Sequence, residues 1–301
     1  MLRDPEYLYV LDTNRQGDFL ATENNSQYGV MTLAPGTTTE RDLSWLDSSD
    51  EAQISADGQW LLLSDSDPVA GPNYALLLRK TDGSPAVRLG DGTAMGISPD
   101  GAWALSIVPG PPMQLVLYPT GAGEKRVLDR GNIQNYQSAK FFPDGKRVLA
   151  CGSEPGRATR CYAQDITGGA PRPVTPEGTT GGFVSPDGKN ILVQGAKGKY
   201  FIYPVGGGLA QAVSGLAPQD IIIRWNGDGR SVLVFRTSEV PARAESVDLS
   251  TGRRTLVREL APADLAGVRQ IQGVSFASGR KSYAYAYDRD LSRLTIIKGV
   301  K

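Results

Sequence analysis

One four-residue turn recurs along this chain, and its spacing constrains the fold more than any other feature. Ser55-Ala56-Asp57-Gly58, Ser98-Pro99-Asp100-Gly101, Phe142-Pro143-Asp144-Gly145 and Ser185-Pro186-Asp187-Gly188 are four clear copies. Weaker copies stand at Asn226-Gly227-Asp228-Gly229, Phe276-Ala277-Ser278-Gly279 and Asn14-Arg15-Gln16-Gly17. Their glycines, at 17, 58, 101, 145, 188, 229 and 279, lie 41, 43, 44, 43, 41 and 50 residues apart. Proline presets φ for the second position of a type I turn, Asp suits the third, and Gly takes the left-handed conformation that closes a hairpin.

Apolar runs flank each copy, such as Trp60-Leu61-Leu62-Leu63, Ile191-Leu192-Val193 and Val232-Leu233-Val234-Phe235. They are continuous rather than alternating, as in strands covered on both faces. A second turn follows about 25 residues later. It is seen at Thr81-Asp82-Gly83, Thr120-Gly121, Thr167-Gly168-Gly169, Gly206-Gly207-Gly208 and Thr251-Gly252. Each period therefore holds four strands and two hairpins, the pattern of a propeller blade. The expectation is an all-β chain, one β-propeller domain over residues 1–301 built from four-stranded antiparallel blades. Seven turns predict seven blades, with six plus a partial blade as the alternative. Tyr7-Leu8-Tyr9-Val10-Leu11 is then the inner strand of the first blade, or a segment that helps close the ring.

The chain has no histidine. That removes Ser-His-Asp and Cys-His catalysis and most zinc or iron sites, leaving carboxylate chemistry as the enzymatic option. Lys+Arg and Asp+Glu are both 32, so no bulk field draws nucleic acid or an anionic membrane. No apolar run approaches the roughly 18 residues needed to span a bilayer. Met1 to Glu6 lacks the basic and apolar parts of a signal peptide, so the chain is expected to be cytoplasmic, or part of a longer protein. Cys151 and Cys161 flank a hairpin centred on Gly156, which places them opposite one another. Two buried thiols are the favoured state, because free Cys is readily buried, and a disulfide is the alternative.

The Ser-Pro-Asp-Gly turns resemble the WD40-like repeats of TolB-type propellers. The chain is also similar to the propeller that ends many bacterial receptor Ser/Thr kinases. Glu40-Arg41-Asp42-Leu43-Ser44-Trp45 and Leu117-Tyr118-Pro119-Thr120-Gly121 are among the segments that carry this likeness. The resemblance implies an extracytoplasmic sensor or interaction module, and periplasmic placement if the chain is a receptor fragment. Kinase activity does not carry over, since neither a glycine-rich nucleotide loop nor a His-Arg-Asp loop is present.

Function is expected in the segments that do not repeat. By propeller geometry the loops at 67–73, 108–112, 152–160, 236–243 and 288–293 share one face. Arg157, Arg160, Arg236, Arg243, Arg289 and Arg293 recur there. Polar residues four positions before the aspartate of several turns, Asp12, Gln53, Lys140 and Arg224, point to the central channel. The candidate binding set is therefore Arg157, Arg160, Arg236, Arg243, Arg289, Lys140 and Arg224, a cationic mouth for a carboxylate, a phosphate or an acidic peptide. The opposing expectation is that loop arginines pair with neighbours such as Glu154 and Glu239. Asp65 and Asp67 lack the remaining ligands of a calcium loop, and Gly206-Gly207-Gly208 lies between strands, away from any helix that would hold a phosphate. No cofactor and no metal is expected. The function expected is a non-catalytic, monomeric binding or sensor scaffold for a protein, a peptide or a small anion. The alternative is a carboxylate-dependent lyase or hydrolase at the channel.

Overall fold

The computed structural model describes residues 7–298. Five sheets follow one another along the chain, each of four consecutive antiparallel strands. Their innermost strands are Ser49–Ile54, Thr93–Ile97, Asn135–Phe141, Thr180–Val184 and Ile221–Trp225. The sixth sheet joins the two ends of the chain. Val268–Phe276 and Tyr283–Ile297 form its inner half, and Phe19–Leu33 and Arg41–Asp42 form its outer half. Each inner strand touches the next, and the last, Val268–Phe276, touches Ser49–Ile54, which closes a ring.

The described residues thus make six sheets, one fewer than the seven turns imply. The turn at Asn14 to Gly17 does not open a blade. It joins Tyr7–Thr13 to Phe19–Leu33, whose pairing runs from Tyr7 opposite Asn24 to Thr13 opposite Phe19. Residues 7–11 are accordingly not an inner strand, and Asp12 lies outside the channel. The segment 288–293 is also not a loop. Tyr283–Ile297 runs unbroken through it, because Phe19–Leu33 pairs with all fifteen of its residues.

Packing between sheets explains the continuous apolar runs. Leu61 and Leu63 enter the core shared with the sixth sheet, alongside Ala284 and Ala286, while Leu62 enters the core shared with Ala94, Ala104 and Val116. Both faces of every middle strand are therefore buried. Tyr283 and Tyr285 turn toward Leu233 and Phe235 of the fifth sheet. Their hydroxyls donate to the two carboxylate oxygens of Glu40 at 2.6 and 2.8 Å. Burial and the Glu40 charge raise both phenols well above their ordinary range.

The turn aspartates are structural. Ser55 Oγ donates to Asp57 Oδ1 at 2.5 Å and accepts from the Trp60 amide at 2.9 Å. The same pair recurs at Ser98 with Asp100 and at Ser185 with Asp187. These serine hydrogen bonds hold the three carboxyls below the usual range. Asp65 and Asp67 serve the main chain in the same way, accepting from Leu46 and Val69 amides respectively. In the last turn the pattern slips by one residue. Ala277 takes the first place, and Arg280, at φ 55°, takes the position that glycine holds in the other five.

Cys151 and Cys161 face one another in register and are joined as a disulfide, not held as the two thiols expected. Thiol titration of protein unfolded without reductant is expected to find no free thiol; two per chain would restore the thiol state.

Candidate functional site

The inner strands leave a channel, and one residue from each of the six sheets lines its waist. These are Gln53, Gly96, Lys140, Phe183, Arg224 and Ser275. The four-residue offset from the turn aspartate therefore holds around the whole ring, with the shifted last turn placing Ser275 in register. On the side of the tetrapeptide turns a chamber of about 410 Å³ is rimmed by Ala56, Pro99, Pro143, Pro186 and Gly227. On the side of the long loops a chamber of about 450 Å³ is lined by Glu51, Ser138, Lys140, Thr237 and Gln272, with Phe183 and Phe235 as its apolar walls.

Each inner strand is interrupted by a bulge, and in five of the six sheets residues at or beside the bulge line this upper chamber. Three bulges carry a residue in the left-handed region. Two of these are glycines, Gly181 at φ 62° and Gly273 at φ 55°, and the third is Glu51 at φ 49°. A side chain in that conformation is strained by about 1 kcal/mol.

The charges of the chamber are poorly compensated. Burial raises the Glu51 carboxyl, with the Lys140 charge opposing the shift, and burial lowers the Lys140 ammonium, with Glu51 opposing it. No ion pair within 4.0 Å joins them among the described residues. Lys140 Nζ instead sits 4.8 Å from the centroid of the Phe183 ring. Asp50, next to Glu51, is pushed up to about 6 by burial despite a 2.8 Å hydrogen bond from Ser64.

Of the predicted cationic set, Lys140 lines both chambers and Arg224 lines only the one beside the turns. Arg224 there donates to the backbone oxygens of Trp225 and Phe276. The other five line neither chamber and are paired locally. Arg157 meets Glu154 and Glu177, Arg160 meets Glu154 and the Tyr162 hydroxyl, and Arg243 meets Glu245. Arg289 pairs with Asp264 and lies over the Tyr287 ring. Arg236 and Arg254 converge on Asp220, whose carboxylate is fully enclosed. Glu51, Phe183 and Gln272 were not singled out in the sequence. Phe183 falls at the recurring four-residue offset, and Glu51 sits six residues before its turn aspartate, the offset at which Gly181 and Gly273 occupy the bulges of their own sheets.

Beyond the ring the sixth sheet extends into an arm. Residues 290–297 pair with Phe19–Leu33 but no longer with Val268–Phe276, and Tyr7–Thr13 flanks the opposite side. Among the described residues, no further strand pairs with the outer side of Tyr7–Thr13 or of residues 294–297. The arm exposes Tyr9, Val10, Leu11, Leu291, Leu294 and Ile296, the last two at 65% and 62%.

No protein-family model and no curated protein matches the chain. Its fold is that of TolB-type propellers. A protein designated TolB from Agrobacterium tumefaciens shares 20% identity at a TM-score of 0.64, over 89% of this chain and 99% of that one. TolB from Acinetobacter baumannii shares 11% at 0.56, over 90% of this chain and 66% of that one. The hydrazine synthase of Kuenenia stuttgartiensis shares 16% at 0.57, over 90% of each chain. At these identities the likeness is one of fold, and it spans neighbours with different activities.

Proposed function

We propose that this protein is a non-catalytic scaffold that docks a protein partner on its loop-bearing face, with the arm as the principal contact. The arm carries this reading. Exposed apolar strands with unpaired edges are sites of strand addition and of aggregation, which soluble proteins otherwise blunt or cover. The TolB-like fold and the resemblance to receptor propellers accord with such a role. The Cys151–Cys161 disulfide accords with an oxidising, extracytoplasmic setting. A carboxylate-dependent lyase or hydrolase has less support, because Asp220, the other carboxylate of the upper chamber, is already held by Arg236, Arg254 and the Ala217 amide.

The test is partner retention from an extract of the source cell, followed by amide exchange on the isolated complex. Retention should be lost in the double variant Leu294→Lys, Ile296→Lys, and protection should fall on residues 290–297. Protection confined to the face of the tetrapeptide turns would refute this reading.

A further inference from the structure

Glu51 and Lys140 set the upper chamber apart from a solvated tunnel. They come from the first and third sheets and set an acidic and a basic side chain in the lining of one cavity with no ion pair between them. Lys140 is held instead against the Phe183 face. Glu51 occupies a left-handed bulge position that two other sheets give to glycine. Strain of that kind persists where a placed side chain is useful. Around the two charges stand neutral hydrogen-bonding groups, Ser138, Thr237 and Gln272.

We propose that the upper chamber is a binding site for a small zwitterion of the free α-amino-acid type, its carboxylate on Lys140 and its ammonium on Glu51. The two ends of such a molecule satisfy both protein charges at once, and Phe183 and Phe235 offer apolar wall to its side chain. The chamber volume, about 450 Å³, lies at the small end of the usual range for ligand sites. Asp50 beside Glu51 adds negative potential on the ammonium side. This site goes beyond the docking role and stands whether or not the arm engages a protein.

The experiment is a thermal-shift panel of the free amino acids in the millimolar range on the whole chain, with calorimetry on those that bind. At least one should raise Tm saturably. Its N-acetyl and its amide derivatives should each bind at least about tenfold more weakly, as should Lys140→Gln and Glu51→Gly. Glu51→Gly places in the bulge the residue its counterparts already use, so it should fold, which circular dichroism checks. The arm variant Leu294→Lys, Ile296→Lys should keep amino-acid binding, separating this site from the docking surface. The proposal is overturned if no free amino acid shifts wild-type Tm, if the blocked derivatives bind as well as the parent, or if folded Glu51→Gly binds undiminished.

Discussion

Asp220→Ala is expected to remove about 3 kcal/mol of stability, roughly 5 °C in Tm for a chain of this size. The Asp220 carboxylate has no exposed surface and accepts from Arg254, from Arg236 at 3.0 Å and from the Ala217 amide at 2.8 Å. Truncation leaves two guanidinium groups facing one another without their shared anion. The loss stays below that of a fully buried pair because Arg254 keeps Glu245 at 3.2 Å and Arg236 keeps Glu239 at 3.3 Å. Burial pushes the Asp220 carboxyl up, but the Arg254, Ala217 and Arg236 hydrogen bonds outweigh it and leave the group below the usual range. A depressed carboxyl contributes its stability above the unfolded value of about 3.9 and loses it as pH falls through the folded one. Urea unfolding at neutral pH should therefore show the full difference between wild type and variant. Below about pH 4 that difference should shrink. A Tm within one degree of wild type at neutral pH would contradict the enclosed cluster.

Glu40→Ala is expected to cost about 2 to 3 kcal/mol, because two phenol hydroxyls lose a charged acceptor together. Glu40 belongs to the N-terminal portion of the chain, Tyr283 and Tyr285 to the C-terminal portion, and their hydrogen bonds tie the two halves of the closing sheet. Deleting residues 1–18 should do much less, leaving the fold intact with Tm lowered by no more than a few degrees. That contrast follows from topology: Phe19–Leu33 is the third strand of the closing sheet, whereas Tyr7–Thr13 lies outside the ring. Unfolding of the 1–18 deletion, measured by circular dichroism, would mean that the turn at Asn14 to Gly17 belongs to a blade after all.

The arginines show why the candidate site was only partly legible from sequence. Arg157, Arg160 and Arg236 do pair with Glu154 and Glu239, as their neighbourhood suggested. Arg254, which completes the Asp220 cluster, lies 34 residues from its partner, and nothing local announces it. Lys140 and Arg224 were legible because a residue four before a turn aspartate always returns to the channel waist.

Local chemistry by itself determined the blade. A Pro-Asp-Gly turn closes a hairpin wherever it stands, and a run such as Trp60 to Leu63 needs cover on both faces wherever it packs. Strand class, period and channel offset follow from interactions a few residues long. How the ring shuts was decided only in three dimensions. The Asn14 to Gly17 turn looks like the others along the chain, yet whether a hairpin starts a sheet or extends one depends on which partner, here residues 283–297, lies beside it. Glu51 belongs to the same class: its bulge lies within the first sheet and recurs six residues before the turn in other sheets, but only closure of the ring brings it into one chamber with Lys140 of the third sheet.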